Sequence, residues 1–212
     1  MRLVIIRAIA VFLICISPFY IWWLHRTSAP GIDFPPELAR IMGKPVEIPV
    51  KPVVNIMEES RYWTNQNGEN IDLITLGGKP TLATFIYTKC FKECLLTIVD
   101  LKKVEMNLSA EDKKNVQYIL FSFDPENDTP AALKAWAENF DVDLSRWHFL
   151  TAEKDELKKM AEDFGFYYQK KGDYFNHTVQ VSVIDRAGNI RQQFYGNNLK
   201  PHSIIERLDD FY

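Results

Sequence analysis

Leu82-Ala83-Thr84-Phe85-Ile86-Tyr87-Thr88-Lys89-Cys90-Phe91-Lys92-Glu93-Cys94 is the stretch that decides the fold. Its first half is an apolar, β-favouring run of the kind that forms a strand buried on both faces. Its second half places two cysteines four residues apart, where such a strand gives way to a helix. Of the three cysteines in 212 residues, only these two lie outside an apolar N-terminal stretch. A pair so placed carries chemistry: the sulfurs either close a disulfide or clasp a soft metal ion. Within one regular helix, residues four apart keep their Cβ atoms about 5–6 Å apart, whereas a disulfide wants roughly 3.5–4.5 Å. A bridge therefore requires Cys90 to sit in the loop before the helix, which Thr88-Lys89 permits. A metal tolerates the wider gap. Unpaired backbone N–H groups and the helix dipole stabilise a thiolate at such a place, and Lys89 and Lys92 add positive charge.

Working outward, Tyr62-Trp63-Thr64, a turn at Asn67-Gly68 and Ile71 to Ile74 read as a hairpin. Gly77-Gly78-Lys79-Pro80 breaks the chain before the strand Thr81 to Tyr87. A helix follows the cysteines with Leu95, Ile98, Val99, Leu101, Val104 and Leu108, and Gln117 to Phe123 is a second buried strand. In Asp124-Pro125-Glu126-Asn127-Asp128-Thr129-Pro130, Asp128 or Thr129 suits an N-cap and Pro130 a first helical turn. Turn and cap duties account for both Asp124 and Asp128. Leu133, Trp136, Ala137 and Phe140 then form one buried helical stripe. Trp147 to Leu150 is a short strand. Thr151 is expected to cap the next helix, which carries Leu157, Met160, Ala161 and Phe164 and ends at Gly165. Lys170 to Asn176 reads as a polar loop. Thr178 to Ile184 and Ile190 to Tyr195 flank a turn at Ala187-Gly188, and Pro201 to Phe211 closes the chain as a helix. The order βαβαβα, then ββα, points to an α/β domain of thioredoxin type: a mixed central sheet flanked by helices, with the cysteines just after a central strand.

Ala8 to Leu24 holds no charge and ends in Tyr20, Trp22 and Trp23. Its length is near the lower limit of the roughly 17–25 residues that span a bilayer, and the aromatics suit an interfacial belt. Arg2 and Arg7 place the short N-terminus in the cytoplasm and the rest outside. Cleavage after Thr27-Ser28-Ala29 is the rival reading, and Cys15 reads as a passive apolar residue in lipid. Six of the eleven prolines fall between Pro30 and Pro52, an extended tether. The expected organisation is therefore a single transmembrane anchor at 1–26, a tether at 27–58 and the domain at 59–212. Three arginines precede every acid, leaving 22 basic against 28 acidic side chains beyond Arg26, a balance of −6. That surface does not suggest a nucleic acid as partner.

Among the four histidines, His25 abuts the apolar stretch, His148 reads as a half-buried strand residue, and His202 reads as a surface residue of the last helix. His177 differs, lying between the polar loop and an apolar strand; its position alone leaves it open between ligand and structural residue. Two thiolates and one imidazole form a soft set, suited to Cu(I) and able to hold Cu(II). A structural zinc site wants four such ligands, one more than is available.

The run from Gly78-Lys79-Pro80 through Cys94 resembles the copper-binding loop of the Sco/SenC family of cytochrome oxidase assembly proteins. Phe123 to Pro130 is similar to that family's Asp-Pro-Glu-x-Asp-Thr turn, and His177-Thr178 with Ile184-Asp185-Arg186-Ala187-Gly188 is similar to its third signature. The resemblance implies a membrane-anchored, thioredoxin-like domain that binds one copper ion through Cys90, Cys94 and His177. It implies delivery of copper to the copper-bearing subunit of cytochrome c oxidase, and the anchor with an oxidising compartment suggests a bacterial inner membrane with the domain in the periplasm. A thiol reductase or another copper chaperone would be a further partner. The chain departs from the pattern at Phe91 and Leu95, where members carry proline, at Lys92, often acidic, and at Asn176, commonly Asp. Loss of the prolines frees the loop, and loss of the Asp is expected to weaken an orienting bond to His177. The alternative function is a periplasmic thiol–disulfide oxidoreductase acting through Cys90 and Cys94 alone, a redox-active pair that reduces a partner's cysteines.

Overall fold

A computed structural model describes residues 54–210. The anchor and most of the tether expected from the sequence lie outside these residues, as do Cys15, His25 and Phe211. Among the described residues no helix is long and apolar enough to cross a membrane.

Three buried runs build the centre: β3 (Thr81–Ile86), β4 (Gln117–Ser122) and β8 (Gln180–Ile184) have every residue buried. β3 and β4 pair in parallel, with Ala83 opposite Ile119, and β4 pairs in parallel with β5 (Trp147–Thr151). Such strands need covering on both faces, and the crossovers supply the cover. The first crossover is α1 (Glu93–Asn107) followed by the single turn α2 (Asp112–Asn115); the second is α3 (Pro130–Ala137). β8 runs antiparallel to β3 and to the edge strand β9 (Ile190–Tyr195). On the far side β1 (Tyr62–Asn65) is antiparallel to β5 and carries β2 (Asn70–Asp72). The seven strands lie in the order β2-β1-β5-β4-β3-β8-β9. α4 (Lys154–Phe164) connects β5 to the second half, and α5 (Pro201–Asp209) packs beside α1.

Two buried polar side chains of the sheet bond to nearby backbone. The Thr84 hydroxyl donates to the Gln180 carbonyl at 2.7 Å, and the Gln180 amide donates to the Phe164 carbonyl at 3.3 Å. Ahead of β1, Ile56 is fully buried and its N–H donates to the Gly188 carbonyl at 3.0 Å. Gly188 has φ +92°, and a Cβ on it would stand 2.6 Å from Met57 Cβ, so only glycine fits.

Four local expectations need correction. Lys170 to Asn176 is no loop: β6 (Tyr168–Lys171) and β7 (Tyr174–His177) form a separate antiparallel hairpin, with Tyr168 opposite His177. Thr151 ends β5 opposite Thr64, and Glu153 takes the N-cap of α4. The second hairpin strand stops at Asp72, whose carboxylate accepts the Ile74 N–H at 3.3 Å and starts a 3-10 turn over Leu73–Leu76. On α1, Val99 is exposed, and Cys94, Thr97, Ile98, Leu101 and Val104 form the buried face.

Candidate metal centre

The site is built where β3 ends. After Tyr87 the chain turns, the Cys90 N–H donating to the Tyr87 carbonyl at 3.1 Å, and α1 begins at Glu93. Cys90 thus lies in the loop and Cys94 in the first helical turn. No side chain of an ordinary capping type stands at the start of α1. The Cys90 sulfur takes that place, accepting the Cys94 N–H at 3.2 Å. One of the four orphan donors of the helix start therefore points at a thiolate.

That arrangement sets the protonation of the pair. The Cys94 S–H donates to Cys90 and is the largest influence holding its thiol down; burial opposes it; His177 and the backbone N–H groups of Cys94 and Lys92 reinforce it, leaving Cys90 at about 3. Cys94 moves the other way, pushed up by the bond it donates to Cys90 and by burial. Both cysteines are buried and unbridged. The two shifts favour the negative charge on Cys90 and the proton on Cys94, and the two thiols titrate as a pair.

His177 arrives on the last residue of β7. Burial pulls its pKa down, but the Cys90 thiolate and the Thr178 carbonyl outweigh burial and raise it. Its Nδ1 lies 2.8 Å from the Thr178 carbonyl oxygen. A carbonyl only accepts, so Nδ1 carries a hydrogen; Nε2 is the nitrogen that bonds the Cys90 thiolate, and it becomes a ligand once its proton is lost. The ring stands edge-on to Tyr87 at 5.9 Å and packs on Phe123 at 5.1 Å. This anchoring answers the concern over Asn176, which is exposed opposite Gln169 in the hairpin: the orienting bond comes from backbone.

The ligating atoms of Cys90, Cys94 and His177 all lie within 4.8 Å of one another, the one such group among the described residues. Two donors bonded to one ion at roughly 2.0–2.3 Å each stand at most about 4.6 Å apart. Three donors spread about one ion stand closer, roughly 3.5–4.0 Å apart, so side-chain adjustments of up to about 1 Å bring all three to one first-row ion, and the donors are soft. The other two histidines among the described residues stay apart. His148 sits half-buried in β5, its pKa lowered by burial and then by Lys79, and His202 is exposed on α5, 3.2 Å from Glu206.

One member of the site went unrecognised in the sequence. Thr129 caps α3, its hydroxyl accepting the Ala132 N–H at 3.2 Å. Asp128 is thereby free for another duty. Its fully buried carboxylate accepts the Thr88 N–H at 3.1 Å, the Thr88 hydroxyl at 2.5 Å and the Ser122 hydroxyl at 2.6 Å. It ties the turn after β4 to the residues entering the cysteine loop. Nothing in its spacing announces this, because the contact joins positions forty apart in the chain.

A family model described as SCO1/SenC matches residues 57–212. The chain belongs to the SCO1/SenC family. Its fold is the thioredoxin-like fold of Sco proteins, and known relatives cover most of it. A SCO1 protein homolog of Bacillus subtilis is 35% identical over 160 residues, 74% of this chain and 82% of the relative. Among solved structures, Bradyrhizobium japonicum ScoI with copper bound is 29% identical, with a TM-score of 0.62 over 73% of this chain and 98% of that one. BsSco, a Sco family cytochrome c oxidase assembly protein with a disulfide switch, is 30% identical, with a TM-score of 0.63 over 75% of this chain and 95% of that one.

Proposed function

We propose that this Sco protein is a membrane-tethered copper carrier that binds one copper ion through Cys90, Cys94 and His177 and delivers it to the copper centre of cytochrome c oxidase. The observation that carries this reading is the convergence of two buried sulfurs and one imidazole within 4.8 Å. The copper-bound ScoI relative and the assembly role of the Sco family support the same cargo and the same destination. Copper is cargo here, and no turnover is needed. His177 is neutral when it ligates and is the most exposed of the three, so an incoming donor displaces it first. Ala8 to Leu24 anchors the chain in a bacterial inner membrane, and the tether presents the domain to the periplasm.

A second reading rests on the ionised Cys90 beside a protonated Cys94. In thiol exchange, the Cys90 thiolate attacks a partner's disulfide, forming a mixed disulfide and releasing one partner thiolate. Cys94 then loses its proton and attacks the Cys90 sulfur. The second partner thiolate leaves, and two electrons have passed to the partner.

His177 separates the two. The full chain, reduced and in detergent, is titrated with copper against a competing chelator, alongside His177→Ala. One copper per chain, weakened at least tenfold in the variant, supports the carrier. Binding indifferent to His177, with thiol exchange intact, moves the function to the oxidoreductase.

A further inference from the structure

α1 is apolar on two faces. One, with Cys94, Ile98, Leu101 and Val104, is buried in the core. The other is open: Leu96, Val99 and Met106 are exposed, and their spacing keeps them in one row along the helix. The row is about 15 Å long. Ahead of it, in the loop between the cysteines, stands Phe91, 89% exposed and the most exposed large apolar side chain among the described residues. An isolated apolar residue on a surface is ordinary. A row that starts at a site, on a helix whose other face already fills the core, reads as a binding surface. α5 packs beside α1 and leaves the row open.

The position of the row says what covers it. Whatever rests on Phe91 and the start of α1 also faces the metal centre. A copper acceptor has to lie there, because ligand exchange brings its donor atom to within roughly 2.0–2.3 Å of the ion and so its surface against the cysteine loop. Charge narrows the partner further. From Lys89 to Met106 the fully exposed charged residues are all lysines, Lys89, Lys92 and Lys103, while Glu93, Asp100 and Glu105 are half-buried or buried. Lys92 and Lys103 stand 3.8 and 2.9 Å from Glu93 and Asp100, yet in both pairs the lysine is the solvent-facing member, 76% against 39% and 49% against 4% exposed. A second copy of the chain on this face would crowd lysine against lysine. A bilayer over it would close the cysteine loop against lipid.

We propose that the face from Phe91 to Met106 docks the copper acceptor, a protein that presents its own copper ligands within an apolar patch rimmed by Asp and Glu, with Phe91 as the anchor. This inference rests on the carrier reading above. A large aromatic side chain that enters a partner's pocket dominates such an interface, and the weaker contacts around it exclude water. Leu96, Val99 and Met106 supply that seal, and the lysines steer the encounter. The plainer account leaves these residues as scattered surface side chains, and predicts that truncating them changes neither complex formation nor transfer.

The test uses the full copper-loaded chain in detergent and, as acceptor, the purified metal-free copper-bearing domain of a cytochrome c oxidase. Complex affinity and the rate of copper transfer are measured for wild type, for Phe91→Ala, for Val99→Ser with Met106→Ser, and for Lys89→Gln with Lys92→Gln and Lys103→Gln. Tyr62→Ser, at an exposed aromatic on β1, is the control. Chelator competition on each variant alone keeps a weaker metal site from being read as weaker docking. Losing an aromatic anchor should weaken the complex at least about tenfold, and losing part of the seal roughly three- to tenfold. The lysine variant should associate more slowly and with a flatter salt dependence, while dissociation changes little. Wild-type affinity and transfer in all three variants overturn the proposal, as does a wild type that holds copper but does not bind this domain. Variants that transfer normally but lose binding to phosphatidylglycerol vesicles, or lose self-association, assign the face to a membrane or a second copy and overturn it too. A wild type that holds no copper fails the carrier reading, and the docking falls with it.

Discussion

Cys90 should react with an alkylating reagent at a rate nearly independent of pH, which is not how a cysteine normally behaves. Its thiol, held at about 3 by the Cys94 S–H against the opposition of burial, with help from His177 and helix-start N–H groups, is ionised throughout the working range. An ordinary thiol with a pKa near 8.5 is only about 0.03% thiolate at pH 5. Cys90 therefore gains roughly 3,000-fold in thiolate at that pH. Nucleophilicity falls with pKa, with a Brønsted slope of about 0.4–0.5, so a thiol this acidic gives up roughly 300-fold in intrinsic reactivity. The net advantage at pH 5 is about tenfold over an ordinary thiol. At pH 9, where the ordinary thiol is mostly ionised, Cys90 should be slower by roughly 300-fold. Burial of Cys90 lowers its rate by the same factor at every pH, so the shape of the profile and not its height is the readable quantity.

The assay is iodoacetamide labelling of the reduced, metal-free chain between pH 4.5 and 9, followed by tryptic mapping. Cleavage after Lys89 and after Lys92 puts Cys90 and Cys94 on separate peptides. Cys90 should label with a flat profile, and Cys94, pushed above its ordinary value, should stay nearly unlabelled. In His177→Ala one donor is gone, the Cys90 pKa rises, and a pH dependence enters at the acid end. A wild-type rate that climbs tenfold per unit from pH 5 to pH 8 would refute the assignment of the charge to Cys90.

Two stability measurements test the scaffold. Asp128→Ala strands the Thr88 N–H and two hydroxyls in the interior and should cost about 2–4 kcal/mol, whereas Asp128→Asn keeps an acceptor for the N–H, lets the hydroxyls rotate, and should cost less. Burial, more than offsetting its bonds from Ser122 and Thr88 and reinforced by Asp124, raises the Asp128 pKa. The native state therefore holds that proton more tightly than the unfolded one. Wild type should lose stability as pH rises through the ordinary carboxylate pKa to the raised one, and this component should vanish in Asp128→Asn; denaturant melts across acid pH that show equal slopes for the two proteins would exclude it. Gly188→Ala forces a positive φ on alanine and sets a Cβ 2.6 Å from that of Met57. It should cost about 2–4 kcal/mol, a drop in melting temperature of roughly 5–15 °C, and a melt within a degree of wild type would show that the segment before β1 does not pack as described.

The elements legible in the sequence were those with something to bury. β3, β4 and β8 are buried along their whole length and mostly apolar, and α4 carries its stripe at Leu157, Met160, Ala161 and Phe164. The β6–β7 hairpin was missed because it lies outside the main sheet and turns Gln169, Tyr174 and Asn176 to solvent, so its composition is that of a loop. Its turn was nevertheless written: Lys171 pairs with Tyr174 across Gly172-Asp173, with Gly172 at φ +63°, a two-residue connection of the hairpin type. At the site, the cysteines were legible from their spacing and their place after a buried strand. His177 needed the family resemblance, because its approach to the sulfurs depends on that hairpin. The tie from Asp128 to Thr88 was hidden by a misassigned duty, capping, which Thr129 performs.

The charge on Cys90 also weighs the two functions against each other. Anything that stabilises a thiolate stabilises the dithiol state relative to the disulfide and makes the disulfide a better oxidant; the strongly oxidising DsbA pair follows this rule. A pair whose first sulfur accepts the Cys94 N–H, the Cys94 S–H and a bond from His177 is therefore poorly suited to donating electrons, which is the direction the oxidoreductase reading requires. It is well suited to remaining reduced, with one ligand already deprotonated when a metal arrives. Cys94 and the His177 Nε2 that bonds Cys90 each have a proton to lose, and the positive charge of an incoming copper ion favours both losses. The same helix-start geometry that weakens the case for a reductant thus prepares the site for copper.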